Sequence, residues 1–340
     1  MPDPLLRLVS IGIGLLLVLL AAACTTGPPV GPARLADMDI VARDDHFTLV
    51  RLRAHQDLGD LARAFLGSRS EVWQIEEVNT GSPGSGDLVA VPAKPANITG
   101  VYQNEYRTLP ILCYHQFTEG TPEQKLELRE QDFEAQLRYL RDEGYRMLSF
   151  AEVAEIMQNK KPLPEKAVVL TIDDGYDSVY DIAWPLLKKY DAKATLFIYT
   201  DFVGAGAALS WAELREMRDS GLVEIESHGK SHASLAPLPG DADTASYETR
   251  LAAELSASEA AFMAKLGAPP QFLSYPYGNS SRTIANMLKS NGYQLAATVT
   301  RGQNSSFVDP FLLHRTMIYD SHSLDDFKKF LDNSRRRVSP

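Results

Sequence analysis

Two short segments of this 340-residue chain carry side chains suited to holding a cation and moving a proton. The apolar run Val168-Val169-Leu170-Thr171-Ile172 ends directly in Asp173-Asp174-Gly175. Adjacent carboxylates repel one another unless a cation or a proton lies between them. An Asp-Gly turn after a strand is common by itself, so the pair gains its meaning from what accompanies it. A second run, Val223-Glu224-Ile225-Glu226-Ser227, ends in His228, with His232 four residues on. Imidazoles at that spacing can meet one ion, whether on a helical turn or in a compact loop. Two histidines and at least one carboxylate at neighbouring strand ends make the ligand set of a catalytic ion of the zinc kind, which keeps one position open for water.

The elements that must position these groups alternate. Apolar, β-branched runs at 109–114, 167–172, 194–199, 223–226, 271–274 and 294–299 read as strands. Amphipathic patterns at 131–143, 150–158, 179–190, 211–220, 249–265 and 281–291 read as helices between them. Such alternation predicts an α/β fold, a parallel sheet with helices outside, whose chemistry collects where the strands end. Both chemical segments stand just past a predicted strand. Pro and Gly cluster at 27–32, 82–86 and 92–100, and the last cluster separates a module of roughly 50 residues from a domain of roughly 230.

Thr171-Ile172-Asp173-Asp174-Gly175 and His228-Gly229-Lys230-Ser231-His232 resemble the first two motifs of the NodB-homology polysaccharide deacetylases, as does the intervening Leu209-Ser210-Trp211. The resemblance spans about 108–330. It implies a distorted (β/α) barrel and a metal-dependent hydrolase that removes acetyl groups from an acetylated glycan polymer. By motif position it implies Asp173 as general base and Asp174, His228 and His232 as ligands of one divalent ion, zinc first, with cobalt or nickel as alternatives. Phe272-Leu273-Ser274-Tyr275-Pro276-Tyr277-Gly278 resembles the family's Arg-x-Pro-Tyr motif, with Ser274 where many members carry the Arg that orients the base. Asp173 is therefore expected to lack that partner, leaving the role to another donor. The backbone N–H of Tyr277 is the implied oxyanion donor.

The Tyr-Pro-Tyr-Gly string resembles the exopolysaccharide and poly-N-acetylglucosamine deacetylase-like branch, and so does Tyr114-His115 at the first strand. This implies His115 as general acid. His314, in Leu312-Leu313-His314, is the competing candidate because many members take the acid from a late Leu-x-His motif. The family's fourth motif has no counterpart here, so Trp211 is expected to supply the aromatic wall, with Tyr275 and Tyr277 also contacting substrate. The implied reaction removes N-acetyl groups from a polysaccharide containing N-acetylglucosamine: peptidoglycan, poly-N-acetylglucosamine or a chitin-like polymer. The alternatives are an O-acetyl polysaccharide esterase and a non-catalytic glycan-binding lipoprotein.

The flanking regions add location. Arg7, the apolar run 8–23 and the closing Ala21-Ala22-Ala23-Cys24 form a signal peptide over 1–23, a run too short to span a bilayer comfortably. The junction resembles a bacterial lipobox, with Ala21 where Leu is usual, and implies lipidation at Cys24. A plain signal peptide and an uncleaved anchor are the alternatives, and all three place the rest of the chain outside the cytoplasm. The expectation is an exported protein, lipid-anchored at the bacterial cell envelope, in the periplasm or on the outer surface. A flexible tether follows over 24–43. Residues 44–93 read strand, helix, helix, strand and resemble a LysM module, an α+β glycan-binding unit, on Phe47, Asp57-Leu58, Ala62, Phe65, the segment 73–79 and the segment 88–92. A linker over 94–107 leads to the deacetylase-like domain at 108–335.

Composition excludes other classes. Apolar residues at 44% and charged residues at 23% argue against disorder over most of the chain. A net charge of −10 without a Lys/Arg stripe argues against a nucleic-acid partner. There are two cysteines, and with Cys24 lipidated Cys113 has no partner, so it reads as a buried small hydrophobe. His46 and His55, in the small module, have no partner set and read as solvated.

Overall fold

The computed structural model describes residues 35–79, 81–93, 99–102, 105–158, 160–331 and 336–337. The expected signal peptide and the lipidation site Cys24 lie outside the described residues. The chain divides into two compact units, Met1–Pro95 and Ala96–Pro340.

The first unit contains β1 (Asp39–Arg43), β2 (Phe47–Arg51), α1 (Leu58–Leu66), α2 (Val72–Val78) and β3 (Leu88–Pro92), with an antiparallel sheet in the order β1-β2-β3. The expected strand, helix, helix, strand is present. The tether expected through residue 43 is not: β1 pairs with β2 from Asp39↔Arg51 to Arg43↔Thr48. Ile40 and Val41 are exposed, so this edge strand is held by its ladder rather than by an apolar face, and it leaves no alternation to read in the sequence. α1 starts at a reciprocal Asp57/Asp60 capping box, and Val50, Leu61, Ala62, Ile75, Val89 and Val91 form the core beneath it.

The second unit is built on a parallel sheet. Its strands are β4 (Ile111–Tyr114), β5 (Arg146–Leu148), β6 (Ala167–Asp174), β7 (Ala194–Ile198), β8 (Val223–Ser227), β9 (Phe272–Ser274), β10 (Leu295–Ala297) and β11 (Thr316–Met317). Its helices are α3 (Glu130–Asp142), α4 (Phe150–Met157), α5 (Trp184–Tyr190), α6 (Trp211–Asp219), α7 (Thr244–Leu266), α8 (Arg282–Ser290) and α9 (Leu324–Phe330). The strand order is β10-β9-β8-β7-β6-β4-β11, and β5 pairs with the start of β6. Every residue of β6 and β7 is buried, which is why both read as continuous apolar runs rather than alternating ones. Serines 149, 210, 281 and 323 and Asp243 cap helix N-termini through their side chains.

The linker expected over 94–107 is partly structured. Val101–Tyr102 pairs with Glu105–Tyr106, which pairs in turn with Arg336–Arg337, and the Tyr106 ring meets Phe307 edge-on at 5.2 Å. This hairpin belongs to the second unit because its partners come from that unit's C-terminal region.

The sheet curves into the distorted (β/α) barrel that the family resemblance implies, and one short segment brings its edges together. Leu313 bridges to Ala297 at the end of β10, while Thr316 of β11 pairs with Leu112 of β4. The ends of β4, β6, β8 and β9 consequently converge, and His115, Asp173, Asp174, His228 and Ser274 stand there.

Candidate metal and catalytic centre

β6 ends in Asp174, and the chain leaves β8 directly into His228. One ligand atom from each of Asp174, His228 and His232 lies within 4.8 Å of the others. Asp174 Oδ1 is 3.6 Å from His228 Nε2 and 3.4 Å from His232 Nε2. His228 Nδ1 lies 2.7 Å from the Ser274 carbonyl oxygen. A carbonyl only accepts, so Nδ1 carries the proton and Nε2 turns a lone pair toward Asp174. His232 Nδ1 pairs with the Tyr277 hydroxyl at 3.1 Å.

Burial, and then the neighbouring Asp173 charge, pushes the Asp174 carboxyl up to about 7. Burial pulls His228 down to about 4 and lowers His232 as well. Asp174 Oδ1 is buried and receives no hydrogen bond. A carboxylate oxygen with no donor, facing two neutral imidazoles whose nitrogens converge on it, is electrostatically incomplete, and a divalent cation completes it. The three residues therefore fit such an ion.

Backbone strain collects at the same place. Asp174 (φ 77°), His232 (φ 59°) and Tyr277 (φ 60°) are three of the four non-glycine residues with positive φ among the described residues. Left-handed backbone costs such residues about 1 kcal/mol each and persists where the surroundings enforce it. Gly175 (φ 93°) follows the carboxylates because a Cβ there would fall 2.9 Å from Ile198 Cγ2. The loop between the histidines is clamped by Glu254 of α7, whose Oε1 accepts from Lys230 N at 2.8 Å, Ser231 N at 2.6 Å and Ser231 Oγ at 3.0 Å.

Asp173 has an arginine partner from outside the motif position that Ser274 occupies. Arg315 donates through Nη1 to Oδ1 and through Nη2 to Oδ2, both at 2.7 Å. Its remaining donors reach Thr171 Oγ1 (3.1 Å), Ser274 Oγ (2.7 Å) and the Thr298 carbonyl (2.8 Å). All five guanidinium N–H groups are thereby used. Ser274 Oγ in turn donates to Asp173 Oδ2 at 3.1 Å. The role falls to another donor, as expected, and that donor is an arginine from position 315 rather than 274, in the segment that closes the barrel, with its guanidinium also bonded to Ser274. Burial alone would raise Asp173, but the Arg315 charge and hydrogen bonds, with His228, hold it well below the usual carboxylate range.

His115, directly after β4, is buried, and its Nδ1 has no hydrogen-bond partner. A ring nitrogen of His115, an Asp173 oxygen and the Cys113 sulfur lie within 4.8 Å of one another. Burial lowers His115 to about 4. The competing candidate, His314, is turned the other way from Arg315 and packs on Gly302, where a Cβ would fall 2.2 Å from its Nδ1. The structure brings His115 to Asp173 and leaves His314 outside. Cys113 is fully buried, its thiol pushed up by burial and directed at Asp173 Oδ2 at 3.6 Å, which suits a packed thiol and not a nucleophile.

One expected substrate contact is corrected. Tyr275 is fully buried and donates its hydroxyl to the Phe311 carbonyl at 3.0 Å, so no substrate can reach it. Trp211 opens α6 and packs its ring edge-on against Phe262 of α7 at 6.3 Å. Tyr277 is 63% exposed, its ring 4.6 Å from that of His232, and its N–H has no acceptor among the described residues. The ring on the other side of His232 is Tyr199, at 5.1 Å. Tyr199 follows β7 as His228 follows β8, so the strand-end rule that selects the histidine also selects this tyrosine.

A family model described as polysaccharide deacetylase matches residues 160–296. YxkH of Bacillus subtilis (strain 168), which carries a polysaccharide deacetylase name, is 31% identical over 228 residues, covering 67% of this chain and 77% of the relative. The poly-β-1,6-N-acetyl-D-glucosamine N-deacetylase of Escherichia coli (strain K12) is 29% identical over 252 residues, covering 64% of this chain but 37% of that protein's own length. Among solved structures, the Streptococcus pyogenes deacetylase PplD in complex with acetate superposes with a TM-score of 0.60 at 28% identity, over 66% of this chain and 98% of that one. IcaB from Ammonifex degensii superposes with a TM-score of 0.59 at 27% identity, over 66% and 97% of the respective chains.

Proposed function

This chain belongs to the polysaccharide deacetylase family, and we propose that within it the protein removes N-acetyl groups from a β-1,6-linked N-acetylglucosamine polymer. The observation that carries this reading is one cluster: Asp174, His228 and His232 around a common point, beside an Asp173 held by Arg315 with His115 against it. The choice of polymer is supported by the relatives of that name and by the Tyr114-His115 and Tyr275-Pro276-Tyr277-Gly278 strings.

Family members depend on a metal, and Asp174, His228 and His232 would hold it here, with zinc the ion their donor set suits best. When bound, such an ion supplies Lewis acidity, polarising a carbonyl and acidifying a water. Asp173 is kept ionised by Arg315 and accepts the proton of the attacking water. A carboxylate so firmly ionised is a weak base, and it serves because the water is itself made acidic. The Tyr277 N–H, presented by a left-handed turn, donates to the oxygen where negative charge develops. His115, with a ring nitrogen within 4.8 Å of an Asp173 oxygen, relays the proton that Asp173 takes from the water to the departing amine nitrogen. That last step favours N-deacetylation over ester cleavage, because an amine is a far poorer leaving group than an alcohol unless it is protonated.

We read the first unit as a LysM-like glycan-binding module, supported by its helix pair and two-strand frame, to which β1 is an addition. Anchoring through lipidated Cys24 at the cell envelope completes the reading, on the strength of the leader alone.

The test is acetate release by the zinc-loaded full chain from β-1,6-linked N-acetylglucosamine oligomers, chitin oligomers, peptidoglycan fragments and acetylxylan. Release fastest from the first is expected. Release confined to acetylxylan would replace the reading with an O-acetyl esterase.

A further inference from the structure

A row of aromatic rings borders the metal ligands. Tyr199 lies 5.1 Å from His232 and stacks on Phe202 at 5.1 Å with 9° between planes. Phe202 meets Tyr176 edge-on at 5.2 Å. All three side chains are partly exposed. None of them belongs to the candidate metal and proton-transfer set.

The row is braced. Thr200 N and Asp201 N donate to the carbonyls of Gly229 and Lys230, in the loop between the two histidines. Lys230 Nζ pairs with Asp201 at 2.5 Å. Tyr176 bridges to Ala208, and Gly204 N donates to the Leu209 carbonyl at 2.8 Å. The rings thus need little ordering when a ligand arrives.

We propose that Tyr176, Tyr199 and Phe202 form a stacking shelf for a sugar ring of the glycan adjacent to the one being deacetylated. Pyranose rings present apolar C–H faces that pack on aromatic faces, and their rims carry the hydroxyls, so a half-exposed aromatic row suits them better than an apolar chain. Tyr199 stands beside His232 and Tyr176 two residues from Asp174, whereas Phe202 joins the site only through these two rings, so a neighbouring sugar of a polymer meets it and a single sugar does not. This inference rests on the glycan-deacetylase reading for the class of its ligand.

The test measures binding, so that it does not depend on turnover. The full chain carrying Asp173→Asn is titrated calorimetrically with β-1,6-linked N-acetylglucosamine dimer and tetramer. Tetramer is expected to bind more tightly than dimer, and adding Phe202→Ala is expected to weaken the tetramer about 10-fold while changing the dimer little. Phe202→Trp should retain the tetramer preference, which separates loss of stacking from loss of fold. Equal losses for dimer and tetramer, no loss for either, or no binding of tetramer to the unsubstituted shelf would overturn the proposal. Length-dependent binding that Phe202→Ala abolishes, in a wild-type protein that releases no acetate from any oligomer, would leave the shelf standing and remove the deacetylase reading.

Discussion

Arg315 and Asp173 stand 142 positions apart and meet through two hydrogen bonds of 2.7 Å in a fully buried pair. Removing the cation leaves a buried carboxylate uncompensated, which costs about 3–5 kcal/mol. Arg315→Met should lower the unfolding free energy by that order at neutral pH in denaturant titrations. Because folding depresses the Asp173 pKa, the wild-type advantage is full above the ordinary carboxylate range and fades as pH falls through and below it. The same variant should move the acid limb of the pH–rate profile to higher pH, since Asp173 then ionises less readily. An unmoved acid limb would separate Arg315 from the base. Ser274→Ala removes two bonds, the one its hydroxyl donates to Asp173 and the one it accepts from Arg315, but takes away neither charge, and should have a smaller effect in both measurements.

Metal affinity should carry the proton competition at Asp174. In the metal-free protein its carboxyl is pushed up to about 7, whereas His228, at about 4, is already neutral. Zinc affinity is therefore expected to rise about tenfold per pH unit up to the Asp174 value and to level off above it. Competition against a chelating indicator across that range provides the measurement. An affinity that does not vary with pH would show that Asp174 is not among the ligands.

Glu254 touches neither histidine, yet its carboxylate accepts two backbone N–H groups and a hydroxyl from the loop that joins them. Glu254→Ala should weaken zinc binding about 10- to 100-fold. His232, with its left-handed backbone, has the most to lose when the loop slackens. Zinc titration of the apo-protein reports this directly, and circular dichroism establishes that the barrel remains folded.

Tyr275 and Tyr277 are two residues apart and should respond differently. Tyr275→Phe removes one buried hydrogen bond and is expected to cost about 1 kcal/mol of stability with turnover unaffected. Tyr277→Phe removes the hydroxyl paired with His232 Nδ1 and should weaken metal binding with little change in stability. Equal behaviour of the two variants in thermal melts and zinc titrations would contradict the burial difference between them.

The central part of the site is legible in the sequence because it is local. Asp173 and Asp174 end a fully buried parallel strand, which a continuous apolar run marks without knowledge of its neighbours, and His228 follows a strand marked by the alternation of Val223 and Ile225 with Glu224 and Glu226. Arg315 is not legible in that way: its direction is decided by Leu313 bonding to one edge of the sheet and Thr316 to the other. Tyr275 and Tyr277 look alike in the string, and a turn with left-handed backbone at Tyr277 and Gly278 leaves one buried and the other exposed. Trp211 closes the motif-like tripeptide, and in the fold it opens a helix capped by Ser210 with its ring against Phe262 of α7. β1 escapes notice because its stability lies in main-chain pairing with β2, which no side-chain pattern reports.

Closure of the barrel by residues 313–317 also fixes when the enzyme can work. A chain growing from its N-terminus holds both aspartates, both histidines and His115 well before Arg315 is added. Until that segment docks, Asp173 lacks the guanidinium that keeps it ionised and aimed. The catalytic base is thus completed late in chain growth, and a barrel whose closing segment has not docked carries an Asp173 that ionises less readily and is less firmly aimed.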